Sequence, residues 1–487
     1  MPVSPFEPAM LLAVLPEITL VILAALILLM DVIWRDREST ELGWLAAGGM
    51  LVAAILGLIF SRPGDQAVLI LGGMLSYDWT SFVFRLLFLL GGALTALIAT
   101  DRPSSRYGEF CALLVVAVLG MDLMAASTNL IMLYLAIETT SLPLYLLAGF
   151  QVLDQKSVEA GIKYLLFGAM ASAVMLYGFS LIWGFTGETD LLAIRAAVQN
   201  GSMTPLMLGG TLVLVLVGFG FKISAVPLHF WAPDVYEGAM TPVAGLLSTA
   251  SKAAGFAVLI RFLLAVFPEA APFWTMIVGM LALLSMVVGN FLALTQRNIK
   301  RLLAYSSIAQ AGYILVGVAA NNQLGISGAI YYLTSYLVTN LAAFGIVFLV
   351  GRELGSDDLS AYAGLAKRNP GVALALLAAL LSLGGIPPLS GFFGKLLVFG
   401  AAVQSGLAGQ PWLIGLAFIG VATSIVGLYY YLNVMKILYK PGTDEKVIPM
   451  AVSWKLAIWI CVGGMFILGT IFAPWYGWSA AAAAGLF

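Results

Sequence analysis

The chain has 487 residues, of which 61% are hydrophobic and only 10% charged, against about 25% charged in an ordinary soluble domain. So many apolar residues cannot be hidden inside a soluble particle and still leave it a polar skin, which excludes a soluble enzyme, a nucleic-acid binder and a disordered scaffold. The 23 Lys+Arg and 24 Asp+Glu nearly cancel to a net charge of −1, so their placement carries more information than their sum.

The chain therefore reads as one that lives in a bilayer. Crossing the hydrocarbon layer takes a helix of about 20 apolar residues. About fourteen such stretches are predicted, near 10–33, 43–60, 78–99, 109–126, 129–150, 160–184, 206–231, 241–265, 273–295, 301–319, 325–350, 371–404, 411–436 and 454–474. The first does not read as a cleaved signal: Glu7 and Glu17 take the place of a basic start, and the run from Pro8 to Trp34 is long enough to cross and stay. The seventh, GFGFKISAVPLHFWAPDVYEG, carries Gly218, Gly220, Pro227 and Pro233, and is expected to be broken. The twelfth is too long for one plain span and holds Gly384, Gly385, Pro387 and Pro388.

The expected fold is an all-α polytopic membrane protein. Spans four to eight and nine to thirteen form two blocks of five helices each. Five is odd, so consecutive units sit in the membrane with opposite orientation, as in inverted-repeat transporters whose sites lie at broken helices. The expected divisions are 1–108 for the first three helices, 109–265 for the first repeat, 266–436 for the inverted repeat, and 437–487 for a loop and the last helix. With the N-terminus outside, the inner loops hold Arg35, Arg37, Arg102, Arg106, Lys156, Arg297, Lys300, Arg301, Arg352, Lys367, Arg368, Lys436, Lys440, Lys446 and Lys455, and the outer loops only Arg62, Arg195 and Arg261. The positive-inside rule then places both termini outside.

Five cations remain, and they fall within spans: Arg85, Lys163, Lys222, Lys252 and Lys395. A charge near the bilayer centre costs about 2.5–3.5 kcal/mol at least, so such residues face the bundle interior, pair up, or line water. Lys222 precedes the seventh-span break and Lys395 follows the twelfth-span one. Lys252 lies mid-way in the eighth span and Glu138 in the fifth. Buried lysines can exchange a proton near neutral pH, and a nearby carboxylate tunes them. The four residues therefore read as a proton relay. His229, within the seventh-span break, is a possible further relay group. Arg85 is expected to snorkel towards its span end near Asp78, and Lys163 to pair with Glu159 one turn earlier. One His and two Cys in apolar runs, Cys111 and Cys461, offer no disulfide framework, and no haem, iron–sulfur or zinc site is expected from this chain alone. No phosphate-cradling loop or dinucleotide fingerprint is found either. A subunit of this kind can move a proton but needs a partner to supply energy.

The blocks FKISAVPLHFWAPDVYEGAMTPVAGLLSTASKAAGFAVLIRF (221–262), NIKRLLAYSSIAQAGYILVG (298–317) and LSLGGIPPLSGFFGKLLVF (381–399) resemble the antiporter-like membrane subunits of proton-translocating NADH–quinone oxidoreductase, respiratory complex I. The likeness covers essentially the whole chain and is strongest to the subunit N branch, the bacterial counterpart of mitochondrial subunit 2. It implies that Glu138, Lys222, Lys252 and Lys395 are the relay positions of the fifth, seventh, eighth and twelfth helices. Lys395, where the middle antiporter-like subunit has glutamate, and a chain that stops at Phe487 without a long lateral helix, both point to that branch. It implies a translocase subunit whose NADH, FMN, iron–sulfur clusters and quinone are handled by other subunits. Its partners would be further antiporter-like and other membrane-arm subunits and the lipid bilayer, in the inner membrane of a bacterial cell. The competing readings are a subunit of a multisubunit Na+/H+ antiporter, a homologous module of a ferredoxin- or hydrogenase-linked complex, and a structural spacer whose charges only hold helices together.

Overall fold

The computed structural model describes residues 10–34, 40–64, 67–100, 106–442 and 447–486. Glu7, and Arg35, Arg37, Arg102 and Lys446 of the expected inner loops, lie outside these residues. Among the described residues thirteen helices are long and apolar enough to cross a bilayer. The first six are Leu15–Ile33, Glu41–Phe60, Trp79–Ala99, Tyr107–Ala126, Leu130–Ala148 and Gln155–Thr186. The seventh span begins as Pro205–Lys222, breaks over 223–230, and continues as Trp231–Gly238. Thr241–Val266, Pro268–Ala293, Ile299–Ala319 and Gln323–Leu354 follow. The twelfth span is built from two shorter helices, Pro370–Gly384 and Ser390–Leu407, and Trp412–Leu438 and Val452–Thr470 complete the set of fourteen.

Several helices start earlier than hydropathy suggests, because a polar side chain closes the first turn. Asp154 accepts from the Lys156 amide at 2.9 Å and starts the sixth span at Gln155 rather than near 160. Asn298 does the same for the Lys300 and Arg301 amides, opening the tenth span at Ile299. These side chains satisfy amides that have no partner inside the helix. Lys156, Lys300 and Arg301 thus belong to first helical turns, not loops. Among the described residues a small antiparallel hairpin, pairing Val68–Ile70 with Leu75–Tyr77, departs from the all-helical plan.

The eighth span is wholly buried, and the third, tenth and eleventh nearly so. The first, second, sixth and thirteenth form the rim, where Ile22, Ile59, Met170, Phe418 and Ile425 are exposed. Exposed apolar side chains on this scale need lipid or neighbouring protein to cover them.

Two expectations for cations fail. Arg261 is no loop residue but lies inside the eighth span, 6% exposed. Its guanidinium donates two parallel bonds to Asp78, at 2.7 and 2.9 Å, and a third to the Ala125 carbonyl at 2.9 Å. Asp78 also caps the third span by accepting from the Ser81 amide at 2.8 Å. The Asp78–Arg261 pair thereby ties the third, fourth and eighth spans together. Asp78 being taken, Arg85 does not reach it; Arg85 is buried and donates to Glu17 of the first span at 2.6 Å. Lys163 pairs with Glu159 at 2.7 Å as expected, and also reaches Asp234 at 2.6 Å.

Removing one partner of a buried ion pair leaves the other charge stranded and costs about 3–5 kcal/mol. Asp78→Ala should therefore lower the unfolding temperature of the purified chain in mild detergent well below that of the unmodified protein. Asp78→Ala combined with Arg261→Leu should regain part of the loss. Equal melting of all three proteins would show that the pair holds nothing together.

Candidate functional site

The two breaks leave helix ends inside the bundle, and the lysines sit on them. Pro370–Gly384 ends with Gly385 in the left-handed region, φ +82°. Its last-turn carbonyls have no partner within their own helix, and the negative end of the helix dipole faces the break. Lys395, one turn into the second half, donates to the Leu383 carbonyl at 2.9 Å, the Gly384 carbonyl at 3.1 Å and Ser424 Oγ at 2.6 Å. Its ammonium also stands 5.0 Å from the centre of the Tyr313 ring, within cation–π range. A Cβ at Gly385 would come within 2.9 Å of Lys395 Cδ, so glycine serves both the turn and the lysine.

Lys222 closes the first half of the seventh span, again at a helix C-terminus where a cation is favoured. Its amine donates to Ser141 Oγ at 2.9 Å. Ser141 lies one turn beyond Glu138 on the fifth span, and Glu138 itself accepts from Ser172 of the sixth. The expected approach of Glu138 to Lys222 is therefore through one face of the fifth span, not a direct ion pair. Gly255 of the eighth span lets Lys222 lie close: a Cβ there would meet Lys222 Cγ at 3.2 Å.

Lys252 follows a single π-helical turn, Leu247–Ser251, and is 1% exposed. Turns of this type are frequent at functional sites. Lys252 donates to the Ser307 carbonyl at 2.8 Å and Ser307 Oγ at 2.5 Å. Among the described residues neither Lys252 nor Lys395 has a carboxylate partner. His229 is buried in the seventh-span break with Nδ1 unpartnered, and none of the lysines contacts it by a hydrogen bond.

The tenth span joins these sites. Ser307 holds Lys252, and its neighbour Ser306 bonds the Tyr431 hydroxyl. Gln310, one turn on, accepts from the Tyr332 hydroxyl and donates to the Tyr431 oxygen at 3.3 Å. It also donates at 3.1 Å to the Leu383 carbonyl, which accepts from Lys395 as well. Lys252 and Lys395 are thus connected through polar groups of the tenth span together with Tyr431 of the thirteenth and the Leu383 carbonyl of the twelfth. On the other side, Tyr236 neighbours both Ser224, in the seventh-span break, and Ser307. Its buried hydroxyl and that of Ser224 have no formed hydrogen bond among the described residues. Sequence reasoning named the four charged residues and missed Ser307, Ser306, Gln310, Tyr236 and Tyr431. A glutamine inside an apolar span was a readable signal; serines and tyrosines are too common in spans to be one.

At one end of the bundle the surface cations are tied down. Arg301 bonds Asp234 at 2.7 Å and Glu237 at 2.9 Å, and Lys156 bonds Glu237 at 2.9 Å. Asp234 therefore clamps the second half of the seventh span to the sixth and tenth. No cluster of three or more His, Cys, Asp or Glu that could hold a metal occurs among the described residues.

Residues 127–425 match the family model described as NADH:quinone oxidoreductase/Mrp antiporter, transmembrane. The chain is 43% identical to NADH-quinone oxidoreductase subunit N of Chlorobium chlorochromatii, over 94% of this chain and 92% of that one. Among solved structures it is similar to a chain of respiratory complex I from Thermus thermophilus with bound aureothin, with 34% identity, a TM-score of 0.77, and 94% and 97% of the two chains covered. It shares the fold of a chain in the Mrp complex from Dietzia sp., at 20% identity, a TM-score of 0.85, and coverage of 99% and 98%. With a family match over more than half its length and relatives of this closeness, the chain belongs to the antiporter-like membrane subunits of NADH–quinone oxidoreductase, in the subunit N family.

Proposed function

We propose that the chain moves protons through Glu138, Lys222, Lys252 and Lys395, driven by quinone reduction carried out elsewhere in a NADH–quinone oxidoreductase. The observation that carries this reading is the run of buried polar groups from Lys252 to Lys395: Lys252 bonds Ser307, its chain neighbour Ser306 bonds Tyr431, Gln310 bonds Tyr431, and Gln310 and Lys395 both donate to the Leu383 carbonyl. Burial favours a lysine that can gain and lose a proton, and hydroxyl and amide groups between two such amines can relay it. The interval at Ser224 and Tyr236 is the natural gate. A rotation of those hydroxyls would connect the Lys222 break to Ser307, and restoring the present arrangement would close it. Separation of Glu138 from the neighbourhood of Lys222 would release the proton held there, and its return would reload the site.

The same reading extends to the arrangement in the membrane. The two five-helix units, 109–265 and 266–436, would be inverted repeats, each with its lysine at a break. The charge asymmetry of the expected loops supports both termini on the outer side of a bacterial inner membrane. NADH, FMN, the iron–sulfur clusters and the quinone would be bound by partner subunits, and the neighbouring antiporter-like subunits would pack along this one. The Na+/H+ exchanger reading shares the fold, but relatives that are 41% and 43% identical over 89% and 94% of this chain are NADH-quinone oxidoreductase subunits N.

Lys252→Met should leave the complex assembled and lower proton pumping by at least tenfold, a modest part of the ~10²–10⁴ that a positioned proton-transfer group contributes. Pumping is read in proteoliposomes with a pH-sensitive dye during quinone reduction, and assembly by co-purification of the flavin and iron–sulfur subunits. Full pumping in an assembled Lys252→Met complex would remove the relay, while failure of any redox subunit to co-purify with the unmodified chain would favour the exchanger. Gln310→Leu breaks the link between the Tyr431 and Leu383 sites without touching a lysine. It is expected to reduce pumping several-fold at normal assembly, and an unchanged rate would take Gln310 out of the path.

A further inference from the structure

The relay leaves three buried charged groups unused, on spans that pack together: the fourth span, with Asp122, lies against both the first, with Glu17, and the third, with Arg85, and the charges of Glu17 and Arg85 act on Asp122. Glu17 is 6% exposed, Arg85 4% and Asp122 2%. Glu17 sits in the first turn of the first span, Arg85 two turns into the third, and Asp122 one turn from the end of the fourth. Arg85 Nη2 bonds Glu17 Oε1 at 2.6 Å. Five other buried polar atoms of the trio have no partner among the described residues: Glu17 Oε2, Arg85 Nε and Nη1, and both oxygens of Asp122.

The charges do not balance. With all three ionised the cluster holds one uncompensated negative charge away from water, an arrangement that burial strongly penalises. Among the described residues, Glu17 and Arg85 are the charged groups whose fields reach Asp122. Among the described residues the surroundings offer no other free cation. The second span presents Gly57, where even a Cβ would stay 3.9 Å from Arg85 Cδ. The hairpin contributes the neutral Tyr77 near Arg85. The eighth span contributes Arg261, which is fully engaged by Asp78 and the Ala125 carbonyl. The remaining way to neutralise the cluster is a proton.

We infer that Glu17, Arg85 and Asp122 form a second proton-binding site, in which two carboxyl groups share one guanidinium and one proton. In the observed arrangement Arg85 neutralises Glu17, and Asp122 is the carboxylic acid. When Arg85 turns its free Nε and Nη1 to Asp122, the Asp122 O–H bond breaks, its proton goes to Glu17, and the charge stays balanced. The exchange carries one proton from the fourth span to the first, outside the lysine path. It joins the N-terminal three helices to the first five-helix unit in a protonation event.

The test is infrared spectroscopy of the assembled complex, following the carbonyl stretch of protonated carboxylic acids and its shift in deuterium oxide. Asp122→Asn should remove one such band near neutral pH. Glu17→Gln should remove it too, because Arg85 is then free to neutralise Asp122. Arg85→Gln should add one band, since both carboxyls then hold protons. A band that survives Glu17→Gln, or an Arg85→Gln spectrum with no added band, overturns the shared site and leaves a static ion pair. If Asp122→Asn fails to assemble, the other two variants decide the matter alone.

Discussion

No backbone group inside the hydrocarbon layer can be left to water, so each interruption of a helix there must be repaired from within the protein. The two broken spans are where this constraint bites. At the twelfth, the freed carbonyls of Leu383 and Gly384 are taken up by Lys395, and the Leu383 carbonyl also by Gln310. At the seventh, the Ala225 amide returns to the Gly220 carbonyl at 2.8 Å, and the Val226 amide is met by Ser285 of the ninth span at 2.9 Å. The repairs bring polar side chains to the centre of an apolar bundle. A lysine that caps a helix end in this way is held in position whether or not it carries a proton, because its acceptors are neutral carbonyls and hydroxyls. In the proposed relay, repairing the break and housing a transferable proton are thus the same structural act.

The proposed inversion of the halves adds direction. In the seventh span the lysine is the last residue of the leading half-helix; in the twelfth it lies just inside the trailing one. The two breaks therefore offer their amines from opposite sides of an interruption. The unbroken eighth span stands between, with its own local defect, the π turn before Lys252. The tenth span, nearly all buried, carries the polar groups that reach from one half to the other. A proton path built this way needs no pore, only a succession of repaired defects in packed helices.

The span count, the two breaks and the four charged positions were legible because each leaves a local mark: twenty apolar residues, a Gly/Pro cluster, a charge where none is expected. What escaped depended on partners far off in sequence. Arg261 meets Asp78 across 183 positions and Arg85 meets Glu17 across 68, so nearness along the chain suggested the wrong companion for Arg85. Helix starts were missed where capping side chains extend a span into polar sequence, as Asp154 does. The π turn has no composition that announces it. Ser141 as the actual acceptor from Lys222, in place of Glu138, follows from helix rotation, which a heptad-scale reading cannot resolve to one turn.

The contrast among the buried cations bears on the reading of the lysines as mere pins. This protein shows what a pin looks like: Arg261 is gripped by two parallel bonds to a capping carboxylate and by a backbone carbonyl, with every guanidinium nitrogen engaged. Arginine suits that task because its planar fork matches a carboxylate and its charge is permanent. Lys222, Lys252 and Lys395 are the opposite in each respect. They are lysines, their hydrogen-bond partners are hydroxyls and carbonyls, and those partners lie on helices that continue the polar run. A pin needs a fixed charge and a matched counter-ion; a relay needs a group that can be discharged without losing its neighbours. On the proposed reading the chain uses the first chemistry where helices must be locked and the second at its two breaks and its π turn.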